Sequence, residues 1–231
     1  MTDNTDPRAS APVVTLDGPS GSGKGTVGQV LAARLGWYFL DSGALYRLVG
    51  LLAHETAVRL DDGPQLARLA QEMHVDFGVN PAGTPRVVLN GVDVGDRLRT
   101  EEAGDRASRV AAVPEVRQAL LEKQRAFRRP PGLVADGRDM GTTVFPDALL
   151  KVFVTASAEQ RAERRYKQLK EKGFDVNLAR LLEEIRERDA RDAARAVSPL
   201  RPAADAQVLD TSDLSISEVV DRIEGLLHER R

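Results

Sequence analysis

Apolar positions along the chain fall into short runs that alternate with stretches of helical spacing. Val13-Val14-Thr15-Leu16-Asp17 is a β-branched run bounded by Gly18 and Pro19, the pattern of a parallel strand buried on both faces. Val27, Val30, Leu31 and Leu35 then recur at three- and four-residue intervals up to Gly36, which predicts a helix closed by a glycine C-cap. A second strand is expected over Trp37 to Leu40, closed by Asp41-Ser42-Gly43, and a second helix through Leu45, Leu48, Leu52 and Val58. This strand-helix-strand-helix order implies a parallel sheet.

The rhythm then changes. Val75 to Val79 and Arg86 to Leu89, followed by Asn90-Gly91 and Val92-Asp93-Val94, alternate with period two around an Asn-Gly turn and predict an antiparallel hairpin in an inserted subdomain. Helical stretches follow at about Glu101 to Ala112 and Glu115 to Arg128, then buried parallel strands at Gly132 to Asp136 and Leu149 to Thr155. Ser157-Ala-Glu-Gln160 has the form of a capping box for a highly charged helix through Lys172, and Asn177 begins another helix. Gln207 to Asp210 is a last short strand, and Ser215-Ile-Ser-Glu218 caps the final helix.

Composition narrows the chemistry. The 231 residues carry 33 basic and 35 acidic side chains, a formal net charge of −2, which argues against a strongly basic nucleic-acid or membrane-surface binder. No cysteine is present, so disulfides, thiolate nucleophiles and zinc-thiolate sites are excluded, and His54, His74 and His228 have no metal-ligand spacing. The polar opening from Met1 to Ala11 lacks an apolar core and reads as a frayed tail. No apolar run approaches the ~20 residues that span a bilayer. The expectation is a cytoplasmic monomer whose partners are small molecules, with neither nucleic acid nor membrane among them.

The strongest motif is Gly18, Pro19, Ser20, Gly21, Ser22, Gly23, Lys24, Gly25 and Thr26, placed after a predicted strand and opening a predicted helix. Consecutive small residues let backbone N–H groups turn toward phosphate oxygens, the helix N-terminus adds positive potential, and Lys24 can reach the β- and γ-phosphates. The alternative is a glycine-rich turn without a ligand. As a P-loop it departs from the strict spacing, because Gly25 follows Lys24 and the hydroxyl arrives one place later at Thr26. A nucleoside triphosphate with Mg²⁺ is the expected ligand. The chain has no Asn-Lys-x-Asp guanine-reading sequence and no apolar strand ending in an Asp-Glu pair, which weakens switch and motor readings.

A small-molecule kinase also needs cations for its acceptor and a cover that excludes water. Leu178, Leu181, Leu182 and Ile185 mark a buried helical stripe that continues onto Arg188, Asp189, Asp192 and Arg195. An ionic stripe there is either a solvated face or a set of charges held by partners or a ligand. Arg138 and Asp139 follow a predicted strand end, where parallel sheets bind ligands, and Arg47 lies one turn beyond another. Each arginine alone could be a surface ion pair, whereas the three together would make a clamp for a monophosphate.

These residues also carry a resemblance. The runs Asp17-Gly-Pro-Ser-Gly-Ser-Gly-Lys-Gly-Thr26, Leu40-Asp-Ser-Gly-Ala-Leu-Tyr-Arg47, Val134-Ala-Asp-Gly-Arg-Asp-Met-Gly-Thr142 with Val144-Phe-Pro-Asp147, Glu171-Lys-Gly-Phe174 and Glu187-Arg-Asp-Ala-Arg-Asp192 leading to Ala196-Val197 resemble the bacterial cytidylate kinases, within the nucleoside monophosphate kinases. The displaced hydroxyl at Thr26 is ordinary in that family. The resemblance implies an α/β fold: a P-loop NTPase-type parallel sheet flanked by helices, an antiparallel acceptor-binding insert and a mobile helical lid. It implies one kinase domain over 1–231, with a disordered tail at 1–11, the insert at about 63–100 and the lid at about 157–175.

It further implies phosphoryl transfer from ATP to CMP and dCMP. Arg47, Arg138 and Arg195 would hold the acceptor α-phosphate, Ser42, Arg117 and Asp139 would face the base, and Ser108, Arg188 and Asp192 would contact the sugar. Lys24 and Mg²⁺ would neutralise the donor phosphates, and arginines of the lid (Arg161, Arg164 and Arg165 lie there) the transferring group. Asp136, like Thr26, either helps organise Mg²⁺ through water or, as a buried carboxylate, orients loop N–H groups. Two rival readings are a kinase for another small acceptor, such as UMP, AMP or shikimate, and a module that binds ATP without turnover.

Overall fold

The computed structural model describes residues 11–79, 85–171 and 173–230. The described residues of Met1–Asp41 and Gln124–Arg231 form one compact unit, and Ser42–Lys123 forms a second. Of the opening segment expected to fray, residues 1–10 lie outside the described residues, while Ala11 is buried and its carbonyl accepts from Arg128 Nε at 2.8 Å.

The first unit is built on a five-stranded sheet. Its strands are β1 (Val13–Asp17), β2 (Tyr38–Asp41), β6 (Leu133–Gly137), β7 (Leu150–Thr155) and β8 (Gln207–Asp210), in the order β2-β6-β1-β7-β8 and parallel throughout. Every residue of β1 and β6 is buried, as apolar runs in a parallel sheet require. The register sets Asp17 beside Gly137 and Phe153, and Asp41 beside Asp136, so the carboxyl ends of the central strands are level. Ligands bind at such ends in open α/β sheets.

Helix α1 (Lys24–Leu35) packs Val27 and Leu31 into the core with Val14, Leu16, Val134, Val152 and Val154, and α8 (Ile216–His228) adds Val219, Val220, Ile223 and Leu227. Gly36, at φ 65°, closes α1 as expected, its N–H directed at the Ala32 and Ala33 carbonyls. Helix α8 has the full capping box between Ser215 and Glu218. Helix α6 (Ala158–Glu171) has half of one: Ser157 Oγ accepts from Gln160 N–H at 3.2 Å, but the Ser157 N–H goes to Ser212 Oγ instead. Lys172, where this helix was expected to end, lies outside the described residues. Asn177 caps α7 (Leu178–Ala193) through its side chain.

The second unit contains α2 (Ser42–Glu55), α3 (Gly63–Glu72), β3 (Val75–Val79), β4 (Pro85–Leu89), β5 (Val92–Asp93), α4 (Glu101–Val110) and most of α5 (Pro114–Arg125). Helix α2 stops short of Val58 because Ala57 turns into the left-handed region at φ 55°, letting the Val58 N–H reach the Ala53 carbonyl. The expected hairpin is a three-stranded antiparallel sheet, β3-β4-β5, with Asn90 and Gly91 at φ 50° and 85° in its tight turn. Helix α3 is absent from the sequence reading above. Asp62, which caps it, Pro64 at its start, and Leu66, Ala70 and Met73 at helical intervals are the signals for it. Helices α2 and α4 meet closely at Gly50, where a Cβ would sit 3.1 Å from the Cβ of Arg106.

Candidate active site

Residues Gly18 to Gly23 link β1 to α1 as the spacing predicts. Glycine is obligatory at the first of them: at φ 145° a Cβ would lie 2.0 Å from the Val154 carbonyl oxygen of the neighbouring strand. Gly21 and Gly23 are left-handed as well, and Gly23 is the N-cap of α1. The loop carbonyls are taken by protein donors. Pro19 O accepts from Ser22 Oγ at 3.1 Å and Lys24 Nζ at 2.7 Å, Ser20 O from Arg161 Nη1 at 3.0 Å, and Ser22 O from Thr211 Oγ1 at 3.3 Å. With its carbonyls so bound, the loop keeps its N–H side and the α1 N-terminus for an oxyanion.

Lys24 is buried, and burial, followed by the nearby Arg138 cation, pushes its ammonium down to about 7, against the opposing influence of Asp136 and Asp17. Asp136 approaches the start of α1 closely: a Cβ on Gly25 would lie 3.3 Å from Asp136 Oδ2. Thr26 is exposed on the first turn of the same helix. Hydroxyl and carboxylate are hard donors of the kind Mg²⁺ meets through water while substrate phosphates fill its inner sphere. Among the described residues no group of three or more histidine or acidic side chains is gathered where it could hold a metal ion.

Beyond β6 the ionic stripe is neither solvated nor loose. Arg138 Nε donates to Asp192 Oδ2 at 3.1 Å, Arg195 Nη2 donates to Asp192 Oδ1, and Asp192 is 1% exposed. Two guanidiniums therefore share one buried carboxylate. Arg138 also donates to the Gly137 carbonyl at 3.1 Å. Asp139 is buried at the start of a π-helical turn (Met140–Val144), and Arg188 is half-buried on α7.

In the second unit, Ser42 and Arg47 lie on α2, Ser108 on α4 and Arg117 on α5. Ser42, Ser108 and Arg117 are buried and Arg47 is half-buried. Arg117 donates to the Ala111 carbonyl at 3.2 Å, with its guanidinium 5.7 Å from the Tyr46 ring centre.

The segment expected as a lid has a firm root. Arg161 is buried, with Nε on the Ala156 carbonyl and a two-pronged bond to Asp189 of α7 at 3.1 and 2.5 Å, besides its bond to Ser20. Arg164 donates to the Thr211 and Ser212 carbonyls. These two arginines brace main chain; Arg165 is half-buried on the same helix. The brace between Arg161 and Asp189 was not foreseen, and neither was Asp17, whose two carboxylate oxygens accept the Met140 and Gly141 N–H groups at 2.8 Å each. A lone acid closing an otherwise apolar buried strand is the sequence signal that would have found it.

Residues 14–229 match the family model described as Cytidylate kinase. A cytidylate kinase of Methylococcus capsulatus is 61% identical over 209 residues, 90% of this chain and 93% of that one. The cytidylate kinase of Stutzerimonas stutzeri is likewise 61% identical over 213 residues, covering 92% and 93%. The solved shikimate kinase of Acinetobacter baumannii, in complex with shikimate, aligns over 96% of both chains at 18% identity with a TM-score of 0.45. On the family match, which takes in every site residue named above, the chain belongs to the cytidylate kinase family.

Proposed function

We propose that the chain transfers the γ-phosphoryl group of ATP to CMP and dCMP. The observation that carries this reading is the pair Arg138 and Arg195 on the buried Asp192, in the same unit as the P-loop: two forked cations gathered at one place, the donor geometry that suits a phosphate monoester. Arg47 is assigned to the same phosphate, Ser42, Arg117 and Asp139 to the base, and Ser108, Arg188 and Asp192 to the sugar.

An acceptor phosphate oxygen forms a bond to the γ-phosphorus as the bond to the β–γ bridging oxygen breaks, and ADP leaves with that electron pair. The acceptor is an oxyanion near neutral pH, so no protein nucleophile or base is needed. The protein positions the two phosphates and neutralises their charge. Lys24 meets the donor phosphates, and the α1 N-terminus adds its dipole. Asp136 and Thr26 would hold Mg²⁺ through water, and the ion supplies charge neutralisation across the donor phosphates. Asp139 selects the base: a carboxylate accepts from the exocyclic amine of cytosine and repels the oxygen that uracil carries there.

The test is steady-state ADP release from Mg-ATP with CMP, dCMP, UMP, AMP, GMP and shikimate offered separately. Turnover confined to CMP and dCMP is expected, with Asp139→Ala raising the KM for CMP far more than that for ATP. ATP binding without stimulation by any acceptor would overturn the reading in favour of a binding module.

A further inference from the structure

The strand that feeds the P-loop ends in a carboxylate for which phosphoryl transfer as described has no use. Asp17 closes β1 at 5% exposure, after four residues with none, and a buried acid persists where hydrogen bonds hold it. Its oxygens divide the work: Oδ1 accepts from Met140 N–H and Oδ2 from Gly141 N–H, each at 2.8 Å. Those amides directly follow Arg138 and Asp139.

The segment they belong to has little slack. A Cβ on Gly137 would lie 2.7 Å from Met140 Cγ; one on Gly141 would lie 2.9 Å from Thr15 Oγ1 and 3.1 Å from Lys151 Cδ. The segment is thus pressed onto β1 and β7 at Gly141, beside the two amides that the Asp17 carboxylate holds. The turn continues without a break, because the Asp139 carbonyl accepts from Thr143 N–H at 2.9 Å and Val144 N–H at 3.2 Å.

We propose that Asp17 is a positioning residue that holds the Arg138–Gly141 segment by its two main-chain amides, so that Arg138 and Asp139 are preorganised for a pyrimidine nucleoside monophosphate. The proposal rests on the acceptor roles assigned to those two residues above. It ties the strand that carries the donor loop directly to acceptor recognition. The competing role is electrostatic, since Asp17 also favours the charged form of Lys24. The two roles differ in which nucleotide suffers when Asp17 is changed.

The experiment measures equilibrium binding of CMP and, separately, of a non-hydrolysable ATP analogue to wild type, Asp17→Asn and Gly141→Ala, with thermal unfolding alongside. Asp17→Asn places an amide NH₂ against a main-chain N–H. Gly141→Ala displaces the same segment but leaves the Asp17 carboxylate and Lys24 intact. Both variants are expected to weaken CMP by about tenfold or more, the scale of a small misplacement in a binding site. Gly141→Ala is expected to leave the ATP analogue within about twofold of wild type, as independent sites do. Unchanged CMP affinity in Asp17→Asn, or a loss falling on the ATP analogue with CMP retained, would overturn the proposal in favour of the Lys24 role. Should Asp17→Asn not fold, Gly141→Ala decides alone, and unchanged CMP affinity there overturns it. A wild type that binds the ATP analogue but not CMP would overturn the acceptor reading itself, and the proposal with it, before any variant is compared.

Discussion

The start of α1 and the end of α7 each bury cations, and they keep them in opposite ways. Lys24 is a single ammonium bonded to neutral acceptors, the Pro19 carbonyl and Ser22 Oγ, and burial brings its proton affinity down to about 7. Arg138 and Arg195 cannot shed a proton and are held against a resident counter-ion, Asp192. A lysine on the donor loop can stand partly neutral and become fully charged when an anion arrives. An arginine pair stays charged throughout, so its carboxylate must be built in. The difference explains why Lys24 is hydrogen-bonded to a carbonyl and a hydroxyl, with the charges of Asp136 and Asp17 favouring its ammonium, while the end of α7 needs an aspartate bonded directly to both guanidiniums and nearly out of contact with water.

If that contrast holds, Lys24→Met should produce the largest effect. Turnover is expected to fall by about a thousandfold, the scale of losing one preorganised charge on transferring phosphates, while CMP binding measured by calorimetry persists. A loss confined to KM for ATP would break the comparison, because Lys24 would then bind the donor without stabilising its transfer.

Asp192→Asn should come next. It removes the buried carboxylate that Arg195 and the half-buried Arg138 share, and a loss of about 3 kcal/mol in urea unfolding is expected. CMP should stabilise this variant less than wild type, since the same carboxylate is assigned to the sugar and holds both arginines. Equal stabilisation of both would show that Asp192 neither meets the ligand nor places the arginines for it. On the donor side, Arg161→Lys gives up the fork to Asp189 and the reach to the Ser20 carbonyl, and should raise the KM for ATP by about tenfold with the KM for CMP unmoved. A rise in both would mean that the brace also sets α7.

How much of this could be read from sequence depends on whether the signal is local. The P-loop was visible because a strand, a run of small residues and a helix start are all encoded within Val13 to Leu35. The ionic continuation of the Leu178, Leu181, Leu182 and Ile185 stripe was visible because helical periodicity predicts which side chains share a face. That Arg138 and Arg195 converge on Asp192 was not, because Arg138 follows another strand 54 residues before Asp192. The brace from Arg161 to Ser20 spans 141 residues, and the Asp17 bonds to Met140 and Gly141 span 123 and 124. Helix α3 was missed for a different reason: its capping Asp62 and Pro64 stand in a short, mostly polar segment whose apolar positions are few. For the lid segment that carries Arg161 the sequence implies a place over ATP but no role for any single residue, because no local pattern tells a lysine or arginine that meets a ligand from one that braces a carbonyl.

The smallest expected signal tests the same contrast through pH. Burial acts on Asp17 and Lys24 with opposite sign. It raises the Asp17 carboxyl from 3.8 to about 7, against the two amide bonds that favour its charged form, and it lowers Lys24 from 10.5 to about 7. Between about pH 4 and 7 the folded chain keeps a proton on Asp17 that the unfolded chain has released, so this group's contribution to stability is present in acid and is lost as pH rises to 7. Between about pH 7 and 10 the unfolded chain keeps a proton on Lys24 that the folded chain has released, so that contribution is lost as pH falls to 7. The two slopes meet near neutrality, where the ligand-free site is least favourable. Urea unfolding as a function of pH should therefore show Lys24→Met differing from wild type in slope above pH 7, and Asp17→Asn below it. A slope above pH 7 that survives Lys24→Met would mean that the ammonium stays fully charged in the free protein, and the contrast between the two sites would reduce to geometry alone.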